Sequence, residues 1–154
     1  LKEQFDWNIK SGIMFNHESE FRNKDYLFMK IFNSAKKIKN KEMKLLELGS
    51  TNYVRDWSFA GDVAKAIFLI NQSDNNNNFI IGSGVSTSIS EVVEKVFSLY
   101  DLKPENHIKV NPKLLREGDP LEIVSDPSLL KSELNWSPQL SVDDLLERIF
   151  HKIK

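Results

Sequence analysis

The sequence contains no cysteine, and this absence excludes both a disulfide framework and a metal site built on thiolates. It also lacks a signal peptide and any apolar run long enough to cross a bilayer. With 6 glycines and 5 prolines among 154 residues, the composition is not that of a fibrous or low-complexity chain. Together these absences predict a cytoplasmic protein that does not bind a membrane.

The chain also has no excess of charge of either sign, because 21 basic residues nearly balance 22 acidic ones and leave a formal net charge of −1. This balance argues against nucleic acid as a partner and requires any phosphate site to be local. The three histidines do not have metal-ligand spacing, so no metal site is predicted. With 40% apolar residues, the chain can form one core, and we predict that residues 1–154 are a single unit.

Strand-like and helix-like segments alternate along the chain and predict an α/β fold. The segment Leu1 to Trp7 reads as the end of a helix, and Ile9 to Phe15 as a strand. Residues 111–126 are predicted to form a long irregular polar loop, a kind of segment that is often functional. Further strands are predicted at 45–48, 79–81 and 108–110, and further helices over 26–39, from 62–63, from 88–89, from 126–127 and from 141.

The apolar stretch Gly12 to Phe15 ends in four polar residues, Asn16-His17-Glu18-Ser19. A buried strand that ends in this way delivers polar groups to a site. Because adjacent residues on an extended chain point to opposite faces, a catalytic dyad of His17 and Glu18 is not predicted. Asn16 and His17 either bind a ligand or satisfy backbone groups in a loop.

Two arginines are candidate phosphate ligands. Arg55 lies between a glycine turn and the start of a predicted helix, where it could hold an anion bidentately or form a surface ion pair with Asp56. Arg116, in the polar loop, is a second candidate or an ordinary exposed arginine. Tyr26 and Lys30, one helical turn apart, have the spacing of a proton-transferring pair, and the alternative is an ordinary helix surface.

Taken in order, these segments resemble the C-terminal half of the GDP-mannose 4,6-dehydratases, within the extended short-chain dehydrogenase/reductase family. The resemblance implies the C-terminal substrate-binding part of that fold, which lacks most of the Rossmann sheet and has the last Rossmann elements at its start. It is carried by Gly12-Ile13-Met14-Phe15-Asn16-His17-Glu18-Ser19, by Leu48-Gly49 and Arg55-Asp56-Trp57 with Ala60, by Phe79 to Gly84, and by Leu134-Asn135-Trp136-Ser137-Pro138.

The resemblance also implies a reaction: oxidation of a GDP-sugar at C4 by NADP, loss of water across C5 and C6, and hydride return to C6. It implies that NADP is bound mainly by a part of the fold that this chain lacks. The family's catalytic Tyr-x-x-x-Lys lies before the first strand, so no catalytic residue is expected here, and the isolated chain is expected to be inactive. Tyr26 and Lys30 match the spacing of that motif but not its place in the family's fold, because they follow the first strand. A homo-oligomer is implied for the full-length protein.

Site residues are implied by motif position. His17 and Arg22 resemble contacts to the cofactor. The residues that resemble the lining of the sugar-nucleotide pocket are Asn16, Lys30, Gly49, Arg55, Arg116 and, in the acidic ribose-binding place, Asp119.

The chain also departs from the family pattern. Arg116-Glu117-Gly118-Asp119 stands where Arg-Pro-Thr-Glu is usual, and it is similar to relatives that use other nucleotide sugars. Glu20 and Phe21 replace a proline and an arginine. Two alternatives therefore remain, namely a dehydratase or epimerase for another nucleotide sugar, and a non-catalytic binding or assembly module.

Overall fold

The computed structural model describes residues 2–5 and 9–154, which form an α/β arrangement of six α-helices and eight β-strands. The predicted α/β class is therefore confirmed. Short 3-10 turns lie at Pro104–Asn106 and Pro112–Leu114. The helices are α1 (Lys2–Phe5), α2 (Leu27–Lys39), α3 (Ala60–Gln72), α4 (Ile89–Leu99), α5 (Ser128–Leu134) and α6 (Val142–Ile153). The strands are β1 (Ser11–Met14), β2 (Asn16–Glu18), β3 (Leu46–Leu48), β4 (Val54–Phe59), β5 (Asn78–Ile81), β6 (Ser86–Ser88), β7 (Ile108–Val110) and β8 (Glu122–Ile123).

Three small sheets are formed by these strands. β1 pairs in parallel with β5, and β3 pairs in parallel with β7. The third sheet is built around β4, which is parallel to β2 and β8 and antiparallel to β6. Because three other strands contact it, β4 is the element on which the polar segments of the chain converge.

The predicted strand Ile9 to Phe15 is shorter in the structure and is followed by a second strand. The amide of Phe15 donates to the Ile81 carbonyl at 2.9 Å, which closes the pairing of β1 with β5. The chain then changes partner, and the polar residues Asn16–Glu18 pair with β4. The interpretation that placed Asn16 and His17 in a loop is therefore wrong, because these residues form a strand. Of the predicted helix at Leu1 to Trp7, Lys2–Phe5 is helical, while Leu1 and Trp7 lie outside the described residues.

The helices with clear capping signals begin where the sequence predicts. Ser88 and Glu91 form a capping box at the start of α4, and Ser141 and Asp144 form one at the start of α6. A capping box stabilises a helix start by giving its first free amides side-chain acceptors. Asp62 does not cap α3, because the carboxylate accepts instead from the amides of Gln139 and Leu140 at 2.8 and 3.2 Å.

The buried apolar residues form two clusters. The first joins α2, α4 and α6, and in it the ring of Trp57 lies 5.2 Å from the ring of Phe28. The second joins α3, α5 and β5, and the Trp136 indole in it donates to the Asp62 carbonyl at 3.1 Å. None of the described helices is both long and apolar enough to span a membrane.

Candidate functional site

The centre of β4 carries two oppositely charged residues whose side chains leave in opposite directions. Arg55 and Asp56 are both buried, at 9% and 0% exposure. Successive side chains of a strand alternate between its two faces, so adjacent residues here reach different neighbours. The surface ion pair considered between Arg55 and Asp56 is therefore wrong.

Asp56 accepts five hydrogen bonds from two distant loops. Its Oδ1 accepts from the Ser83 amide and hydroxyl at 2.8 and 2.6 Å, and its Oδ2 from the Gly84 amide at 2.8 Å. Oδ2 also accepts from the amide of Ser125 at 3.2 Å and from the Ser125 hydroxyl. A buried carboxylate needs such donors to offset the loss of hydration. Asp56 thus ties the segments after β5 and β8 behind the strand that presents Arg55.

Arg55 fastens the polar loop on the other face. Its Nη2 lies 2.8 Å from Oδ1 of Asp119 in a largely buried ion pair. Its Nη1 donates to the carbonyls of Val54 and Leu121 at 2.7 and 3.2 Å. The residues that resemble a diphosphate ligand and a ribose ligand are therefore in direct contact.

The polar loop is also packed against the end of β3. A Cβ on Gly49 would lie 2.8 Å from the carbonyl oxygen of Leu114, closer than real Cβ contacts. Arg116 is exposed, and its side chain makes no hydrogen bond or ion pair within the described part of the chain. Gly118 has a φ of +75°, a conformation that glycine adopts without steric cost. The predicted irregular loop is largely confirmed, with the addition of β8 and a 3-10 turn.

Lys30 reaches the same region from α2. Its ammonium donates to the Glu47 carbonyl at 2.9 Å. The Glu47 carboxylate binds Lys109 at 2.7 Å and Asn111 at 2.8 Å, and these hydrogen bonds lower the pKa of Glu47. The structure therefore places four of the predicted pocket residues around the end of β3 and the start of β4, namely Lys30, Gly49, Arg55 and Asp119. The fifth, Arg116, belongs to the same loop as Asp119, and in the described part of the chain its side chain makes no hydrogen bond or ion pair with these four.

The sixth predicted pocket residue lies on the neighbouring strand. Asn16 is exposed and stands in register with Trp57, two residues beyond Arg55 on β4. At the rise of a strand, two residues correspond to about 7 Å. His17 follows on the opposite face, and its Nδ1 lies 3.0 Å from the Phe15 carbonyl. A carbonyl can only accept, so Nδ1 is the donor in this contact.

Arg22, predicted from the family resemblance as a cofactor contact, lies in a cluster with Glu18 and Tyr26 that the sequence did not indicate. Its Nε is 3.5 Å from Oε2 of Glu18, and its guanidinium lies 3.7 Å above the Tyr26 ring. Burial raises the pKa of the Glu18 carboxyl to about 7, against the opposing effect of Arg22. The sequence signal that could have revealed this cluster is the acidic Glu18 at the end of a strand, followed four residues later by Arg22.

Glu20 fastens the same segment to α6. The Arg148 guanidinium binds its carboxylate through Nε and Nη2, with a shortest contact of 2.7 Å, and lowers the pKa of Glu20. Glu20, which stands where the family has a proline, is therefore paired within the chain with Arg148. Tyr26 and Lys30 do not form a pair, because Arg22 covers the tyrosine ring and the lysine binds Glu47.

A cavity of about 490 Å³ lies elsewhere, between the segment after β5 and the starts of α4 and α6. Apolar side chains, including Val85 and Leu146, line it together with Glu91 and Asp143. The predicted site residues are absent from its lining. Among residues 2–5 and 9–154, no three histidine or acidic side chains are grouped to hold a metal ion.

Comparison with known proteins identifies the family of the chain. The sequence profile described as GDP-mannose 4,6 dehydratase matches residues 1–149. The chain belongs to the GDP-mannose 4,6 dehydratase family. It is 30% identical to the GDP-mannose 4,6 dehydratases of Drosophila melanogaster and Homo sapiens over 94% and 98% of its own length. It spans less than half of those relatives, at 41% and 45% of their length.

Solved structures give the same picture of this dehydratase-family chain. RMD from Pseudomonas aeruginosa, complexed with NADPH, superposes with a TM-score of 0.85 at 17% identity, over 98% of this chain and 50% of that one. The dTDP-glucose 4,6-dehydratase of Bacillus anthracis, in complex with NAD, superposes with a TM-score of 0.83 at 18% identity, over 98% and 46%. At these identities the likeness establishes the fold alone. The chain thus has the fold of about half of an extended short-chain dehydrogenase/reductase.

Proposed function

We propose that this chain forms the nucleotide-sugar-binding half of a GDP-mannose 4,6-dehydratase-like enzyme. The enzyme would oxidise the sugar at C4, remove water across C5 and C6, and reduce C6. Residues 1–154 would act as a single unit. A cytoplasmic location and a homo-oligomeric state of the full-length protein remain predictions.

The buried guanidinium of Arg55 near the start of β4, held by Asp119 of the polar loop, carries the proposal. Arg55 and Arg116 can neutralise a diphosphate, and a guanidinium binds phosphate oxygens in a bidentate manner. Arg55 donates from Nη1 to two carbonyls and from Nη2 to Asp119, so it is held rigidly before a ligand arrives, and its Nε–H and the second Nη2–H are the donors that remain for a phosphate. Asn16 would donate from β2, and Lys30 would border the pocket from α2. A rigid guanidinium loses little conformational entropy on binding, which favours affinity.

The cofactor side fits a nicotinamide dinucleotide. The Nε of Arg22 lies 3.5 Å from the Glu18 carboxylate, and its terminal nitrogens have no hydrogen-bond partner in the described ranges, so they can hold an anionic group. His17, next to Glu18 on β2, would be the second contact to the cofactor. The relative from Pseudomonas aeruginosa carries NADPH, which supports NADP as the cofactor. When bound, NADP supplies the hydride acceptor and donor for the steps at C4 and C6.

The first strand supports the assignment as half of an enzyme. All four residues of β1 are exposed, with Ile13 and Met14 at 54% and 50%, and β1 pairs with β5 on one edge. Parallel sheets are normally covered on both faces, so an exposed apolar strand of this kind fits the continuation of a parallel sheet. We propose that the part of the fold that grips NADP and supplies the acid and base continues the sheet from this edge.

Calorimetry with nucleotides tests the substrate assignment. We expect the chain to bind GDP in preference to UDP and dTDP, and Arg55→Lys to weaken GDP binding about tenfold or more, because lysine lacks the bidentate fork. Arg148→Lys is the matched control and should leave the affinity unchanged. Preference for UDP or dTDP would establish the alternative nucleotide sugar, which the Arg116-Glu117-Gly118-Asp119 sequence favours. Binding of none of the three would favour the assembly module.

A turnover assay tests whether this chain alone lacks catalytic activity. The isolated chain, incubated with GDP-mannose and NADP, should form no 4-keto sugar, because the proton-transferring residues are expected in the other half. Formation of that product by the chain alone would refute this part of the proposal.

A further inference from the structure

The segment that follows β2 holds an ion pair that is not complete. Oε2 of Glu18 and Nε of Arg22 are both buried, and neither has a hydrogen-bond partner among the described residues. They lie 3.5 Å apart, with side-chain exposures of 6% for the glutamate and 33% for the arginine. Their contact is thus electrostatic, without the alignment of a hydrogen bond. Burying a carboxylate this way is costly, which points to a role other than stability.

The arginine is restrained from two directions. Glu18 lies against its Nε, and the Tyr26 ring supports its planar face at 3.7 Å. Stacking on an aromatic ring and contact with a carboxylate together limit the rotation of a guanidinium. Its two terminal nitrogens remain without partners within the described ranges. This is the arrangement expected of a cation that is held in place for a ligand that is not yet bound.

We propose that Glu18 is the positioning residue for Arg22 and, with Tyr26, holds its guanidinium ready for an anionic group of the cofactor. This inference rests on the proposed function, which places the cofactor at Arg22. Glu18 itself does not contact the ligand. It acts through Arg22, because a carboxylate behind Nε orients the guanidinium while leaving its terminal N–H donors free.

Arginine side-chain NMR tests the proposal, since the chain has four arginines and four Nε–Hε signals that Arg→Lys variants assign. We expect the Arg22 signal to be ordered in the native chain and to lose order in Glu18→Gln. Glu20→Gln is the matched control, because it makes the same change two residues away and should disorder only Arg148. Tyr26→Ala, at an exposed position, should also loosen Arg22 and serves as a second variant.

The second part of the experiment measures the binding of NADPH and of inorganic pyrophosphate as probes. Glu18→Gln should weaken binding of the probe about tenfold, the scale of one lost charge-assisted contact, while Glu20→Gln leaves it unchanged. An Arg22 signal that stays ordered in Glu18→Gln would overturn the positioning role. Loss of order with unchanged affinity would overturn the link to the ligand. The affinities are measured with this chain as part of the full-length enzyme; if Glu18 orders Arg22 but that enzyme binds neither probe, positioning is supported and the cofactor assignment in the proposed function is refuted.

Discussion

Replacing Glu18 by glutamine should make the chain more stable at alkaline pH. The Glu18 side chain is almost fully buried, and burial raises its pKa from 4.5 to about 7. The folded state therefore holds a proton that the unfolded state releases between these two pH values. Stability falls as pH rises through this window, because deprotonation then requires a buried negative charge.

The size of the effect follows from that shift. One pKa unit corresponds to 1.36 kcal/mol, so a rise from 4.5 to about 7 corresponds to about 3 kcal/mol. The cost is absent below pH 4.5 and complete above pH 7. Glutamine has the same shape and no charge. Glu18→Gln should therefore match the native chain near pH 4.5 and exceed its unfolding free energy by about 3 kcal/mol at pH 8.

Urea unfolding followed by circular dichroism between pH 4.5 and 8.5 measures this difference. Glu20→Gln gives an opposite control, because Arg148 lowers the pKa of Glu20 and that stabilisation is lost as the pH falls. Glu20→Gln should thus lose stability at pH 8 and approach the native chain in acid. Parallel pH profiles for Glu18→Gln and the native chain would refute the reasoning, since they would mean that Glu18 ionises normally when folded.

Three further perturbations follow from the site. Asp56→Asn should cost about 2 to 3 kcal/mol in urea unfolding, because an amide cannot accept all five donors, and a change below about 0.5 kcal/mol would contradict the observed network. Gly49→Ala should cost about 2 to 3 kcal/mol because its Cβ meets the Leu114 carbonyl, whereas Gly118→Ala, with open space around it, should cost about 1 kcal/mol from its φ alone; equal costs would count against the close approach. Arg55→Ala should abolish GDP binding in calorimetry, and retained affinity would exclude it as the diphosphate ligand.

Local signals predicted the helices well. The start of α4 follows from the Ser88 and Glu91 capping box, and α2 and α6 follow from apolar residues at helical spacing. These features depend on residues three or four positions apart, so they can be read from the sequence alone.

The strand at the centre of the site was missed for a different reason. β4 carries Arg55 and Asp56 in its middle and shows no apolar alternation. These two charges are tolerated because Asp56 finds donors at Ser83 and Ser125, 27 and 69 residues away, and Arg55 finds Asp119 64 residues away. Partners at such distances leave no local pattern. The family resemblance predicted Arg55 and Asp119 as site residues, and the contact between them is seen only in the structure.

The two apolar clusters described above have a consequence for spectroscopy. Trp57 belongs to the cluster of α2, α4 and α6, and Trp136 to the cluster of α3, α5 and β5. Each cluster thus contains its own intrinsic fluorophore. Variants that keep one of these two indoles would show whether the clusters lose structure together or as separate cooperative units.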